Sequence, residues 1–400
     1  MKKSTVKVYN RNGKHFILCA ARKRLILKTP EELIRQQVLN NLIVKNKVPL
    51  ELITVEHPLT KFKKGIPGRA DIVVSSDLGC KKPLMVLECK SGHLGLTNTH
   101  FRQLEKYNKV FNAKYIVLTN GSLNEVYRKG KSNYEVVSKL PSFKELIHDS
   151  DLTGYIVPNQ GYTRISDDRF KEKKIQNSFL KVGVIGVDSE KKHYPFFMNL
   201  YNLLFDDNSN FQKLSTKGVQ VKKDLGVKQE NFGNAGGGSW YGEYKKLLVS
   251  YDKDESATIG IGLFAKKKSH NDPRFGNTKG HTILVVSVDN NEKSHNSLQL
   301  CLDNSISVKD NVYTITHSGR MTNGAYGGVS VSDVKVAVEK HAPHLIKNGE
   351  IQLGILDNNV PFYSKDAQCK TFIKNLIEYA LIRDELRAAL IKKRIGKEDN

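Results

Sequence analysis

The sequence predicts a two-domain α/β protein: an N-terminal core running helix, three strands, helix, strand, then a mixed α+β domain. Three observations predict it. Apolar residues recur at helical spacing from Leu33 to Ile43, and three strand-length apolar runs follow between Leu50 and Lys90. A second helical stretch and one more apolar run close the block at Thr119. Beyond residue 155 the composition turns polar and charged, and from 196 onward strand and helix patterns mix. The expected boundaries are 1–155 for the first domain, 156–195 for a linker or peripheral segment, and 196–400 for the second domain.

The elements follow in order. Val6–Tyr9 and Phe16–Cys19 flank Asn10-Arg11-Asn12-Gly13, an Asn-Gly hairpin signal. Thr29 is a good N-cap, Pro30 suits the first helical position, and Glu32 completes a capping box. The helix runs to about residue 45 through Leu33, Ile34, Val38, Leu39, Leu42 and Ile43. Strands are expected at Leu50–Glu56, at Ala70–Ser75 and at Pro83–Lys90, the last apolar on both faces and therefore central. A helix from Thr97 to Phe111 and a strand at Tyr115–Thr119 complete the core. Residues 160–180 read as a linker or peripheral helix. Further strands are expected at 246–251, 257–264, 281–288, 298–302 and 312–317, and a last helix over Ala367–Arg394 with the stripe Phe372, Ile373, Leu376, Ile377, Ala380 and Leu381.

Composition narrows the function classes. No run of 18 apolar residues exists, so a membrane-spanning helix is excluded, and no apolar region follows Met1-Lys2-Lys3-Ser4 to suggest a secretory leader. Five cysteines (Cys19, Cys80, Cys89, Cys301, Cys369) without a Cys-x-x-Cys pair argue against a disulfide scaffold or zinc ribbon and fit a cytoplasmic location. There is no Gly-x-x-x-x-Gly-Lys-Ser/Thr, hence no recognisable ATP motor in this chain. The net charge is +23, and it is uneven: residues 1–200 hold 36 basic and 18 acidic side chains, residues 201–400 hold 28 and 23. A basic first half suggests a polyanionic partner such as nucleic acid, set against a lysine-rich solvated surface.

The chemistry centres on Asp71, Glu88 and Lys90. Glu88 and Lys90 stand two apart on one strand, so both point to the same face, and each is costly to bury unless paired or bound to a cation. Asp71 opens another apolar strand. If the two strands are neighbours, the carboxylates converge at one sheet end and describe a magnesium site; a structural ion pair is the competing reading. Thr29-Pro30-Glu31-Glu32-Leu33-Ile34-Arg35-Gln36, Gly68-Arg69-Ala70-Asp71-Ile72-Val73-Val74, Leu87-Glu88-Cys89-Lys90 and Phe101-Arg102-Gln103-Leu104-Glu105-Lys106-Tyr107 occur in that order. On these four motifs the region of residues 15–130 resembles the PD-(D/E)xK nuclease superfamily, and more narrowly the N-terminal nuclease domain of type I restriction enzyme R subunits. Ala70 stands where the family has its initial Pro.

The resemblance implies a restriction-endonuclease-like α-β-β-β-α-β core and Mg2+-dependent hydrolysis of phosphodiesters, with Mn2+ as a substitute. Asp71, Glu88 and the backbone carbonyl of Cys89 would hold the metal, and Lys90 would position or deprotonate the attacking water. Gln103 and Tyr107, four apart on one helical face, would reach the site or the DNA backbone. Glu32 is read both as a contributor to the site and as the capping-box acid. Arg35 and Gln36 are read as phosphate contacts, as braces, or as a solvated helix face. Lys61, Lys63, Lys64 and Arg69 are candidates for phosphate contacts or a solvated tip. His93 and His100 lie close after Lys90, and the Cys89 side chain is expected in the core.

In the second half, Gly233–Gly238 with Trp240 and Tyr241 reads as a ligand-approaching loop or an anchored flexible connection, and histidines 281, 295, 317, 341 and 344 show no metal-ligand spacing. The functional expectation is an endonuclease in restriction or anti-phage defence, acting on DNA and plausible as a homodimer. The second domain would choose targets or drive oligomerisation. The rivals are a nuclease of structured RNA or repair intermediates, and a DNA-binding protein that does not cut.

Overall fold

In the computed structural model the chain is a mixed α/β protein, described at residues 7–90, 98–121, 124–131, 133–148, 162–212, 214–215, 218–233, 239–251, 255–272, 276–289, 295–322 and 327–398. It divides into two compact units, residues 1–9 with 14–160, and residues 10–13 with 161–400. Among the described residues no helix is long and apolar enough to cross a membrane.

The first elements in chain order are β1 (Val8–Arg11), β2 (Lys14–Cys19), β3 (Arg24–Leu27), α1 (Pro30–Val44), β4 (Ile53–Pro58), β5 (Arg69–Ser75), β6 (Pro83–Cys89), α2 (Asn98–Phe111), β7 (Tyr115–Thr119), β8 (Asn124–Lys129), β9 (Tyr134–Val137) and α3 (Phe143–His148). Asn12 and Gly13 both take positive φ, 49° and 70°, as the Asn-Gly turn requires. The Thr29 side chain caps α1 by accepting from the Glu32 N–H at 3.1 Å.

Strands β4 to β9 form one six-stranded sheet in sequence order. All neighbours are antiparallel except β6 and β7, which run parallel because α2 carries the chain back between them. Each face has its own core. Ile72, Val74, Met85, Leu87 and Cys89 pack with Val38, Leu39 and Leu42 of α1. Val73, Val86, Ile116 and Leu118 pack with Leu104 and Phe111 of α2. The alternation along β6 thus sends Cys89 to the α1 side and leaves Glu88 on the opposite side.

Two differences from the expected pattern have simple causes. The strand expected from Leu50 starts instead with a 3-10 turn, Leu50–Leu52, behind Pro49, so β4 is shifted to Ile53–Pro58. Strands β8 and β9 were not expected, because β8 carries Glu125, Arg128 and Lys129 and the edge strand β9 is only four residues long, so neither shows the apolar run that marks a central strand.

The second unit adds α4 (Lys173–Lys181), α5 (Tyr194–Phe205), β10 (Val219–Gly233), β11 (Ser239–Tyr251), β12 (Glu255–Ala265), β13 (Ser269–Asp272), β14 (Gly276–Thr278), β15 (Thr282–Val288), β16 (His295–Cys301), α6 (Leu302–Ser305), β17 (Ile306–Lys309), β18 (Val312–His317), β19 (Met321–Thr322), β20 (Gly328–Val329), α7 (Val331–His341), β21 (Ile346–Lys347), β22 (Glu350–Asp357) and α8 (Ala367–Glu398). Strands β10, β11, β12, β15 and β16 pair antiparallel in succession, and β16 returns to β10 through the parallel pair His295 and Gly233. The five strands therefore close into a ring, which leaves few free edges. Inside it Phe232, Tyr244, Phe264, Ile283 and Val285 pack together, and the wholly buried Lys246 pairs with Glu230 at 2.6 Å. A second sheet, β17-β18-β22-β21, packs against α8, whose Phe372, Ile373, Leu376, Ile377, Ala380 and Leu381 are buried as the stripe predicts.

The stretch 160–180 is more than a linker where it is described. Phe170 and Phe179 sit in the main core of the second unit. The 15-residue β10 was missed because Lys222, Lys223, Asp224 and Lys228 interrupt any apolar alternation. Residues 234–238 of the glycine-rich stretch lie outside the described residues, while Trp240 packs its ring 5.7 Å from that of Phe264, as an anchor would.

Candidate active site

Sheet register places the acids together. Val55 pairs with Ile72, and His57 with Ala70, which sets Glu56 beside Asp71 across β4 and β5. Ile72 pairs with Leu87, so one step further along stand Asp71 and Glu88. Three carboxylates thus line one end of three adjacent strands. Glu56 holds φ at 53°, a left-handed conformation uncommon for a side-chain-bearing residue and often found where function fixes the backbone.

Each carboxylate has a different set of partners. Asp71 Oδ2 accepts the backbone N–H of Cys89 at 2.6 Å, and Oδ1 accepts from Arg35 at 2.6 Å. Glu88 Oε1 accepts from Lys90 Nζ at 2.8 Å and from Gln103 Nε2 at 3.0 Å. Gln103 Nε2 also donates to the Tyr107 hydroxyl at 3.1 Å, so one turn of α2 carries both side chains to the cluster. The second oxygen of Glu88, Oε2, is buried and has no hydrogen-bond partner among the described residues. The N–H of Lys90 donates to Thr119 at 2.8 Å, which extends the β6–β7 pairing and fixes where the Lys90 side chain departs.

Arg35 is the hub that the sequence reading did not settle. It is 5% exposed and ion-paired to Asp71, to Glu56 at 2.9 Å, to Glu31 at 3.0 Å and to Glu32. Arg35 is therefore a brace and not a solvated face. Glu32 spends its carboxylate on Arg22 (2.9 Å), Gln36 (2.9 Å) and Arg35, and it joins the site through Arg35 alone. The signal was present in the sequence: Glu32 and Arg35 continue the stripe Val38, Leu39, Leu42 toward the N-terminus of α1, so the inward face is apolar at one end and charged at the other.

Burial sets the electrostatics. Desolvation, followed by the nearby Asp71 charge, pushes the Glu88 carboxyl up to about 7. Desolvation also raises Asp71, against the opposing pull of Arg35 and the Cys89 N–H. For Lys90 desolvation works downward, yet the Glu88 carboxylate outweighs it and holds the ammonium protonated. Burial raises the Cys89 thiol far above its ordinary value, as befits a core thiol.

The basic connection is exposed at Lys61, Lys63, Lys64 and Arg69. Arg69 lies 3.4 Å from Glu56. Among the described residues no hydrogen bond brings Lys61, Lys63 or Lys64 to the carboxylates. Gly68 ties this loop to the site: it has φ of +118°, and a Cβ there would lie 3.2 Å from the Tyr107 ring. His100 is half-buried at the start of α2, and His93 lies outside the described residues. A buried carboxylate oxygen without a partner among the described residues and a second carboxylate beside it are hard oxygen donors, which fit a hard divalent cation.

No curated protein and no solved structure matches the chain. Residues 30–141 match the family model described as Type I restriction enzyme R protein N terminus, so the resemblance drawn from the four motifs is supported over the region that builds this site.

Proposed function

We propose that the chain is a Mg2+-dependent DNA endonuclease of restriction or anti-phage defence, with a restriction-endonuclease-like core formed by α1, β4, β5, β6, α2 and β7. The family match favours a restriction-related nuclease. The observation that carries the reading is the convergence of Asp71, Glu88, Lys90 and Gln103, with the Glu88 Oε2 atom left without a partner among the described residues. An unpaired buried carboxylate oxygen costs on the order of 1–3 kcal/mol, and a bound cation would offset that cost.

Asp71, Glu88 and the carbonyl of Cys89 would hold the metal. Once bound, the cation would polarise a phosphate oxygen and lower the pKa of a water. The remaining work falls to this chain's side chains. Lys90 stays protonated beside Glu88, so its part is to orient the attacking water and offset charge developing on the phosphate; it does not take the proton. Gln103 fixes the Glu88 carboxylate and, with Tyr107, faces the position of the sugar-phosphate backbone. Arg69 and the lysines of the 61–64 connection supply sequence-independent contacts to DNA phosphates.

The test is cleavage of unmodified plasmid and modified phage DNA with Mg2+ by wild type, Lys90→Ala and Glu88→Ala, with single-stranded DNA and RNA in parallel. Wild type is expected to cut DNA, and both variants to lose activity while binding DNA as before. Cutting of RNA alone would transfer the chemistry to the rival substrate. Tight DNA binding without cutting, or cutting that survives both substitutions, would defeat the reading.

A further inference from the structure

The histidines of the second half show no ligand spacing along the chain, yet the fold gathers one of them into a mixed donor cluster. His281 directly precedes β15, Cys301 ends β16 and Asp303 lies in α6. Their donor atoms all fall within 4.8 Å of one another, and all three residues are half-buried. Among the described residues this is the one grouping of three or more His, Cys, Asp or Glu donors so close. His281 Nδ1 lies 3.4 Å from Cys301 Sγ, close to the roughly 3.5 Å edge that zinc bond lengths imply for a tetrahedral S and N pair.

The surroundings hold the carboxylate in place. Asp303 Oδ2 accepts from Ser189 Oγ at 2.9 Å and from the Thr282 N–H at 2.8 Å, which fixes the carboxylate. Ser189 Oγ is in turn 2.9 Å from Thr282 Oγ1, so the support is itself buried and tied down. Outer contacts of this kind are what hold metal-ligating carboxylates in place.

We propose that His281, Cys301 and Asp303 form a transition-metal site of the zinc class on the second unit, separate from the carboxylate cluster of the first. One thiolate, one imidazole and one carboxylate favour Zn2+ over Mg2+. Three protein ligands and partial exposure leave one position for water or an external ligand, in contrast to a closed four-ligand structural site. Metal binding would tie the start of β15 to the end of β16 and to α6.

Cobalt(II) serves as the probe, because thiolate ligation gives a near-ultraviolet charge-transfer band that oxygen ligands do not. Reduced, chelator-treated full-length protein is titrated with Co2+, followed by competition with Zn2+. One equivalent is expected to develop the band, and one equivalent of Zn2+ to abolish it. Glu88→Gln should retain the band, which separates this site from the proposed nuclease centre. Cys301→Ser should lose it entirely, and Ser189→Ala should weaken Co2+ affinity on the order of 10- to 100-fold. Should Cys301→Ser not fold, Asp303→Asn gives the second reading, expected to weaken affinity while circular dichroism stays native. Absence of the band in wild type, or an undiminished band in a folded Cys301→Ser or Asp303→Asn protein, overturns the proposal.

Discussion

Glu88→Gln tests the electrostatic account most directly, because it removes a charge and keeps nearly all the volume and hydrogen-bonding geometry. Glu88 is 5% exposed, and its carboxyl is pushed from 4.5 to about 7, first by burial and then by Asp71. In the unfolded chain the same group titrates at its ordinary value. Between those two values the folded state holds a proton that the unfolded state has released, so metal-free stability falls as pH rises through that window. Above about 7 the loss is complete and amounts to about 3 kcal/mol at the usual conversion. The amide of the variant carries no such charge. The metal-free variant is therefore expected to match wild type near pH 4.5 and to exceed it by up to about 3 kcal/mol at pH 8, although it cuts no DNA. The assay is differential scanning calorimetry with chelator at both pH values, since tryptophan fluorescence would follow only Trp240 in the second unit. A variant no more stable than wild type at pH 8 would refute the argument that burial makes the Glu88 charge costly despite Lys90. Retained Mg2+-dependent cleavage would refute its place in the site.

Three further outcomes are expected. Arg35→Met leaves Asp71, Glu32 and Glu56 without their shared cation and should cost about 3–5 kcal/mol in urea or thermal unfolding; a loss under about 1 kcal/mol would mean that Arg35 is not the hub of the cluster. At limiting Mg2+, cleavage should rise with pH through about 7 as Glu88 gives up its proton, and the midpoint should move lower at saturating Mg2+. A profile flat from pH 6 to pH 8 at limiting metal would count against Glu88 as a ligand. Gly68→Ala puts a Cβ at 3.2 Å from Tyr107 in a backbone region hostile to side chains, so it should destabilise by about 1–3 kcal/mol and slow cleavage; unchanged melting would show that the loop relaxes freely.

What the sequence made legible follows a physical line. Where an apolar run or stripe is long, periodicity located the element: α1, β5, β6, α2, β7 and α8 all lie within a few residues of their expected bounds. Among the elements not expected, β8 and β10 carry charge in their interiors and β9 is a four-residue edge strand, whereas α7 and β22 each bury one face that the reading did not pick up. The site divides in the same way. Asp71, Glu88 and Lys90 announce themselves by interrupting apolar strands, and Gln103 with Tyr107 by helical spacing. Glu56 does not, since a Glu before His57-Pro58 looks like ordinary surface until the sheet register sets it beside Asp71. The His281, Cys301 and Asp303 cluster was invisible because its two outer segments stand 20 residues apart and meet only by pairing of β15 with β16.

The charge arrangement of the first unit also bears on how the proposed cation site would fold before its cation arrives. Four acids, Glu31, Glu32, Glu56 and Asp71, converge on the single guanidinium of Arg35, and Asp71 is further satisfied by the Cys89 N–H. Those groups need nothing from solution. Glu88 is different: Lys90 and Gln103 satisfy one oxygen and leave the other buried without a partner among the described residues. In the proposed centre the demand for a divalent ion would be concentrated on that atom, with protonation near neutral pH as the alternative in the metal-free fold. On the proposed function, Arg35 would give the site its stability and Glu88 its dependence on metal. The two substitutions should consequently separate: Arg35→Met acts chiefly on unfolding, Glu88→Gln on cleavage, and the double variant should show stability effects that do not add, because both side chains act on Asp71.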